Sequence, residues 1–190
     1  MNTNIAENLL TLVPMKSQFS RSARIDQDSL NDDEFIYSGS IDLFLNTLAA
    51  HQESTPPQGA YTWTGPYGSG KSTLALSLLS ILTGPKKARY DAAKSYNTKT
   101  AERVWAAFPP RTKGWWPVTI VGERTSLANA LATELKKQNL MCSTDLETPD
   151  HIITAINKFL QNNEKSGGLF VIIDEMGKLL EHSVATDGDV

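Results

Sequence analysis

The chain has 190 residues, 40% of them hydrophobic and 21% charged. These are the proportions of an ordinary globular domain, not of a collagenous, mucin-like or wholly disordered polymer. A formal net charge of −3 gives no overall basic field for nucleic acid. Cys142 is the single cysteine, and His51, His151 and His182 lie far apart. That leaves no intramolecular disulfide, no cysteine zinc cluster and no histidines at metal-ligand spacing.

Residues 1–59 read as a lead-in of helix and loop. The N-terminus has neither the basic nor the apolar region of a signal peptide. The longest apolar stretch, Leu74 to Leu82, is nine residues with two serines inside it, short of the ~20 needed to span a bilayer. The expectation is a cytoplasmic protein with no membrane segment. A short helix is predicted over Ile5 to Leu12. A second follows Ser40 as N-cap, with Ile41, Leu43, Phe44, Leu45 and Leu48 at helical spacing. Pro56 and Pro57 mark a linker over 51–59.

From residue 60 the pattern changes to strands alternating with helices, which argues α/β. Ala60 to Thr64 favours a short strand through β-branched and aromatic side chains. A glycine-rich turn at 65–70 precedes a helix from Ser72 to Leu82, ended by Gly84-Pro85. A basic insertion covers 86–113, with one helix predicted over 91–108. Val118 to Val121 reads as a second strand. Ser126 caps a helix that carries Leu127, Ala130, Leu131 and Leu135. Thr148, Pro149 and Asp150 supply the cap, N1 proline and first-turn acid of another. Leu169 to Ile173 is a continuous apolar run, the mark of a parallel strand covered on both faces.

The chemistry is concentrated in two places. Gly65, Pro66, Tyr67, Gly68, Ser69, Gly70, Lys71 and Ser72 fit G-x-x-x-x-G-K-[ST] at every fixed position, the P-loop (Walker A) pattern. Glycines let the backbone curl so that successive N–H groups point at phosphate oxygens, and the following helix directs its positive end there. Lys71 is suited to the β- and γ-phosphates, the Ser72 hydroxyl to Mg²⁺, and Thr73 to the α-phosphate. The second place is Asp174-Glu175, directly after the apolar strand. An acid at the C-terminal end of such a strand lies on the edge where ligands bind. Asp174 would hold Mg²⁺, and Glu175 would be the general base for an attacking water. This is a Walker B pattern, and its second acid points to ATP hydrolysis.

Together these motifs resemble the additional-strand, catalytic-glutamate division of P-loop ATPases, which includes AAA+ and RecA-like motors. More narrowly, the blocks Gly65 to Leu76, Trp115 to Arg124 and Asp174 to Glu181 resemble the ATPase start of large bacterial ATP-binding proteins, some of them in BREX-type anti-phage systems. The resemblance implies a three-layer sandwich with a mostly parallel sheet. It also implies an oligomeric or multidomain ATPase associated with DNA. In that division a later strand lies between the P-loop strand and the Asp-Glu strand. Only 15 residues follow Glu175, and they contain no strand pattern. The sheet is therefore expected to be incomplete at its C-terminal end, as the N-terminal piece of a longer ATPase. Otherwise the two motif strands are direct neighbours, as in P-loop kinases. With the strand missing, the P-loop and the acid pair would lose their common frame, and this chain alone would hydrolyse ATP weakly or not at all.

The functional expectation is Mg-ATP binding and, in the complete form, hydrolysis. The alternatives are a non-hydrolysing nucleotide-binding assembly module and a P-loop kinase. The basic insertion holds Lys86, Lys87, Arg89, Lys94, Lys99, Arg103, Arg111 and Lys113 against Asp91 and Glu102, with Tyr90, Tyr96, Trp105 and Phe108 interleaved. Such a stretch fits either a DNA grip or a solvated amphipathic helix with its aromatics inward, and the second is favoured. Trp115 and Trp116 read as core, and Arg124 and Lys178 as surface.

Overall fold

The computed structural model describes residues 24–25, 38–140 and 148–186. Most of the lead-in, including the helix predicted at Ile5 to Leu12, lies outside them, as does Cys142. The described residues form a mixed α/β fold. Its elements are α1 (Gly39–Glu53), α2 (Lys71–Leu82), α3 (Lys86–Ser95), α4 (Thr98–Ala107), β1 (Trp116–Val121), α5 (Leu127–Lys137), α6 (Pro149–Gln161), β2 (Leu169–Asp174) and α7 (Met176–Ala185). No helix among the described residues is long and apolar enough to cross a membrane.

The sheet among these residues has two strands. β1 and β2 run parallel in a register from Trp116 opposite Leu169 to Val121 opposite Asp174. Alternation then sorts the side chains. Val118 and Ile120, with Leu169 and Ile173 beside them, join Ala132 and Leu135 of α5, Ile152 of α6 and Leu179 of α7. On the other face Ile172, Phe170 and Val121 pack on Ala75, Leu76 and Leu79 of α2. Helices against both faces explain why β2 reads as an unbroken apolar run. The cover is partial, for Val171 remains 39% exposed.

α2 is the spine of the molecule. Its second face, Leu78, Ile81 and Leu82, is buried with Ile41, Leu45, Leu48 and Ala49 of α1, Val104 of α4, and Phe108. A helix apolar on both sides is a buried one, and each fully buried leucine or isoleucine contributes roughly 1.5–3 kcal/mol. The helix that carries Lys71 and Ser72 is therefore fixed from two directions.

Three local expectations need correction. Ala60 to Thr64 is not a strand. Tyr61 and Trp63 do turn inward in alternation, Tyr61 stacked on His51 and Trp63 edge-on to Phe44, so the period-2 pattern is met in facing but not in pairing. A ladder needs a neighbouring strand about 4.8 Å away, and among the described residues β2 is paired on one side only, with β1. The helix predicted over 91–108 is two helices, α3 and α4. Asn97 separates them by accepting a hydrogen bond from the Lys99 N–H at 3.1 Å, as an N-cap does. The linker predicted from residue 51 begins later, because α1 runs to Glu53 and starts at Gly39 with Ser38 as N-cap. The caps at Ser126 and Thr148 are formed as expected, on the N–H groups of Asn129 and His151.

Candidate functional site

The sequence of the loop at 65–70 dictates its curl. Gly68 and Gly70 both have positive φ, 78° and 83°, a region that side chains other than glycine rarely enter. Gly70 is the N-cap residue of α2 and offers no side chain to it; the first turn carries no acid either. The first N–H groups of a helix have no intrahelical partner, so an uncapped end of this kind could receive an anion. Lys71 folds back over the loop. Its Nζ donates to the carbonyls of Gly65 at 2.9 Å and Pro66 at 3.0 Å. The Tyr67 side chain stands out at 91% exposure, and Ser69 closes the turn through its N–H to the Pro66 carbonyl at 3.2 Å. Thr73 sits in the first turn of α2.

The acid pair reaches this loop through the sheet. Asp174 ends β2 on the face turned to α2, and its Oδ2 accepts a hydrogen bond from the Ser72 hydroxyl at 2.9 Å. The two residues are 102 apart in the chain, and the packing of Phe170 and Ile172 on α2 is what aligns them. The expected loss of a common frame is therefore not observed for Ser72 and Asp174: side-chain packing on one helix supplies the frame that strand pairing does not. Ser72 and Asp174 are the residues that could hold a metal ion. No cluster of three or more histidine, cysteine or acidic residues suited to a metal occurs among the described residues. A hydroxyl with one carboxylate suits Mg²⁺, which keeps waters and phosphate oxygens as its other ligands.

Glu175 follows in a left-handed conformation, φ 54° and ψ 40°, uncommon for a residue with a Cβ. Three neighbours hold it there. Its N–H donates to Asp174 Oδ1 at 2.9 Å, and its carbonyl accepts from the Lys178 N–H at 3.0 Å. Gly122, just past β1, lies so close that a Cβ there would come within 2.2 Å of the Glu175 carbonyl oxygen. Gly122 also donates its N–H to the Asp174 carbonyl at 2.8 Å. Sequence reasoning passed over Gly122, although a glycine directly after a strand that ends beside the acid pair is a visible signal. Lys178 lies on the exposed surface of α7, as expected, and there its ammonium pairs with the Glu175 carboxylate.

The basic insertion is used differently. Arg89 is 2% exposed. One arm of its guanidinium donates to the Gly84 carbonyl and the other to the Arg111 carbonyl at 3.0 Å, and burial pulls its pKa below the usual arginine value. Arg111 donates to the Glu164 carbonyl, and Arg103 pairs with Glu53 at 3.0 Å. Tyr90 leans on Trp105 with Lys86 over its ring. Trp115 packs edge-on to Phe108 and Phe170, and Trp116 to Phe159, both partly buried against the core clusters. No family model matches the chain, and neither a curated protein nor a solved structure does.

Proposed function

We propose that this chain binds Mg-ATP at the loop 65–73 and that the site built by Lys71, Ser72, Asp174 and Glu175 hydrolyses it. The observation that carries the reading is the hydrogen bond between Ser72 and Asp174. It joins a phosphate-binding helix start to an acid from a distant strand, which a glycine turn of purely structural use has no need to do. Gly68, Gly70 and the uncapped start of α2 provide N–H groups for the phosphates, and Lys71 provides a cation. Bound Mg²⁺ supplies charge neutralisation on the phosphate oxygens. Glu175 takes a proton from water as the water oxygen bonds to the γ-phosphorus. The bond from that phosphorus to the bridging oxygen breaks, its electron pair stays with ADP, and inorganic phosphate leaves.

A three-layer sandwich with a larger parallel sheet belongs to the same proposal, as do assembly with further copies and a DNA-associated task. For DNA contact through residues 86–113, the burial of Arg89 and the engagement of Arg103 and Arg111 favour the structural use of that stretch. The test is titration calorimetry and steady-state turnover with Mg-ATP on the full chain. Wild type should bind ATP, and Lys71→Ala should bind it clearly more weakly. Equal affinity in the two proteins would overturn the site. Binding without turnover would select the non-hydrolysing module, and phosphate transfer to a small acceptor would select a kinase.

A further inference from the structure

We propose that Lys178 is a positioning residue for Glu175, a role that rests on the hydrolytic reading above. Glu175 is the N-cap residue of α7, where an acidic side chain ordinarily accepts from the first N–H groups of the helix. It makes no such bond. Its Oε2 accepts instead from the Lys178 ammonium at 2.5 Å, while the Lys178 backbone N–H holds the Glu175 carbonyl. One residue thus grips the candidate base at both ends.

Stability does not account for this arrangement. The two side chains are 53% and 50% exposed, and pairs so open to water contribute little. Lys178 also lies in the first turn of α7, at the positive end of the helix dipole, where a cation is disfavoured. Glu175 in turn occupies a left-handed backbone position that is unfavourable for a residue with a Cβ and persists where the surroundings over-determine it. Two local rules are broken side by side at the edge where Asp174 meets Ser72, and such breaches concentrate at functional sites.

The chemical consequence follows from which oxygen is taken. With Oε2 bound to the ammonium, the carboxylate loses its freedom to rotate, and Oε1 is left to accept the proton from water. Holding a base within reach of its proton is worth far more in rate than in stability, since a misplacement of 1 Å can cost about 10². Lys178 touches neither the phosphates nor the water in this scheme; it acts through Glu175.

The experiment is a double-mutant cycle on the full chain, with turnover, ATP affinity and melting temperature read for each protein. Lys178→Met should lower kcat about tenfold, a part of the full misplacement penalty, with KM, ATP affinity and melting temperature unchanged. Lys178→Arg should restore most of the lost rate, because it returns the cation. In a Glu175→Gln background the loss of Lys178 should cost nothing further, the sign that both act as one unit. Three outcomes overturn the role beside an active wild type: an unchanged kcat in Lys178→Met, a raised kcat, or a loss of affinity and stability in step with rate. A wild type that binds ATP and never turns it over fails before any variant is made, and removes the hydrolytic reading together with this one.

Discussion

The loop at 65–72 carries a single cation, and the helices α3 and α4 carry six, yet the first is the region where the proposed ligand would find a helix start without a side-chain cap. Lys71 rests on two loop carbonyls that it could give up, and the start of α2 has no cap. In the second region both guanidinium groups are already engaged. Arg89 is clamped between the Gly84 and Arg111 carbonyls, and Arg103 is paired across to α1. Charge counted along the chain points to the helices, whereas backbone geometry points to the loop. The difference teaches that a binding site is recognised by what folding leaves unsatisfied and exposed, not by how many ionic side chains a segment holds.

The sharpest way to break the comparison is at Glu175. Glu175→Gln keeps the shape of the side chain and removes its basicity, so ATP should still bind while kcat falls by roughly 10²–10⁴. Melting temperature should be unchanged, because the half-exposed carboxylate contributes little to the fold. Single-turnover measurements with Mg-ATP give the rate directly. Retained turnover would move the base elsewhere and leave Glu175 as a helix start.

Gly122→Ala sharpens the same side. The added Cβ would need to occupy space 2.2 Å from the Glu175 carbonyl oxygen, so the backbone there must shift. Turnover should drop by about 10², and overpacking should cost about 1–3 kcal/mol of stability. ATP affinity, set by the loop and α2, should hold. A loss of affinity equal to the loss of rate would show that the phosphate loop and the acid pair move together.

How much of this was legible beforehand depends on the range of the interaction that decides each feature. The loop 65–72, the caps at Ser126 and Thr148, and the strand ending at Asp174 are written in a few adjacent residues. The split between α3 and α4 was written locally too, in Asn97, but the helical periodicity over 91–108 overrode it. Tyr61 and Trp63 show the limit more clearly. Their alternation is correct in facing, but pairing depends on a neighbour elsewhere in the chain, and no local pattern reveals whether one is present. The contact of Ser72 with Asp174 was expected only through motif logic, and the packing of α2 on β2 that creates it is tertiary. The grip of Lys178 on Glu175 was within reach, being three residues along a helix.

On the other side of the comparison, Arg89→Ala tests whether a basic residue is structural. It removes a buried fork and leaves the Gly84 and Arg111 carbonyls short of a donor. The expected loss is about 2–3 kcal/mol by denaturant unfolding, with ATP affinity unchanged. Arg89→Lys should rescue little, since an ammonium cannot reach two carbonyls in the fixed geometry of a guanidinium. An Arg89→Ala protein of full stability would return this residue to the pool of candidate nucleic-acid contacts.

The smallest effect is expected where α1 meets α4. The hydrogen bond from Arg103 holds the Glu53 carboxyl below the usual glutamate range; slight desolvation opposes this, and the guanidinium charge adds to it. The same bond raises the pKa of Arg103. A carboxyl that ionises more readily in the folded chain than in the unfolded one contributes stability above its unfolded pKa of about 4.3. That contribution disappears as pH falls through the lower, folded value. Both side chains are close to half exposed, 42% and 47%, so water and salt weaken the pair. At pH 7, Glu53→Gln should melt about 1–2 °C below wild type, and the two curves should converge as the pH is lowered past the folded pKa of Glu53. Added salt should narrow the gap at pH 7 as well. A gap that persists in acid would mean that Glu53 acts through packing at the end of α1, and that this cation of the basic helices is not engaged by charge after all.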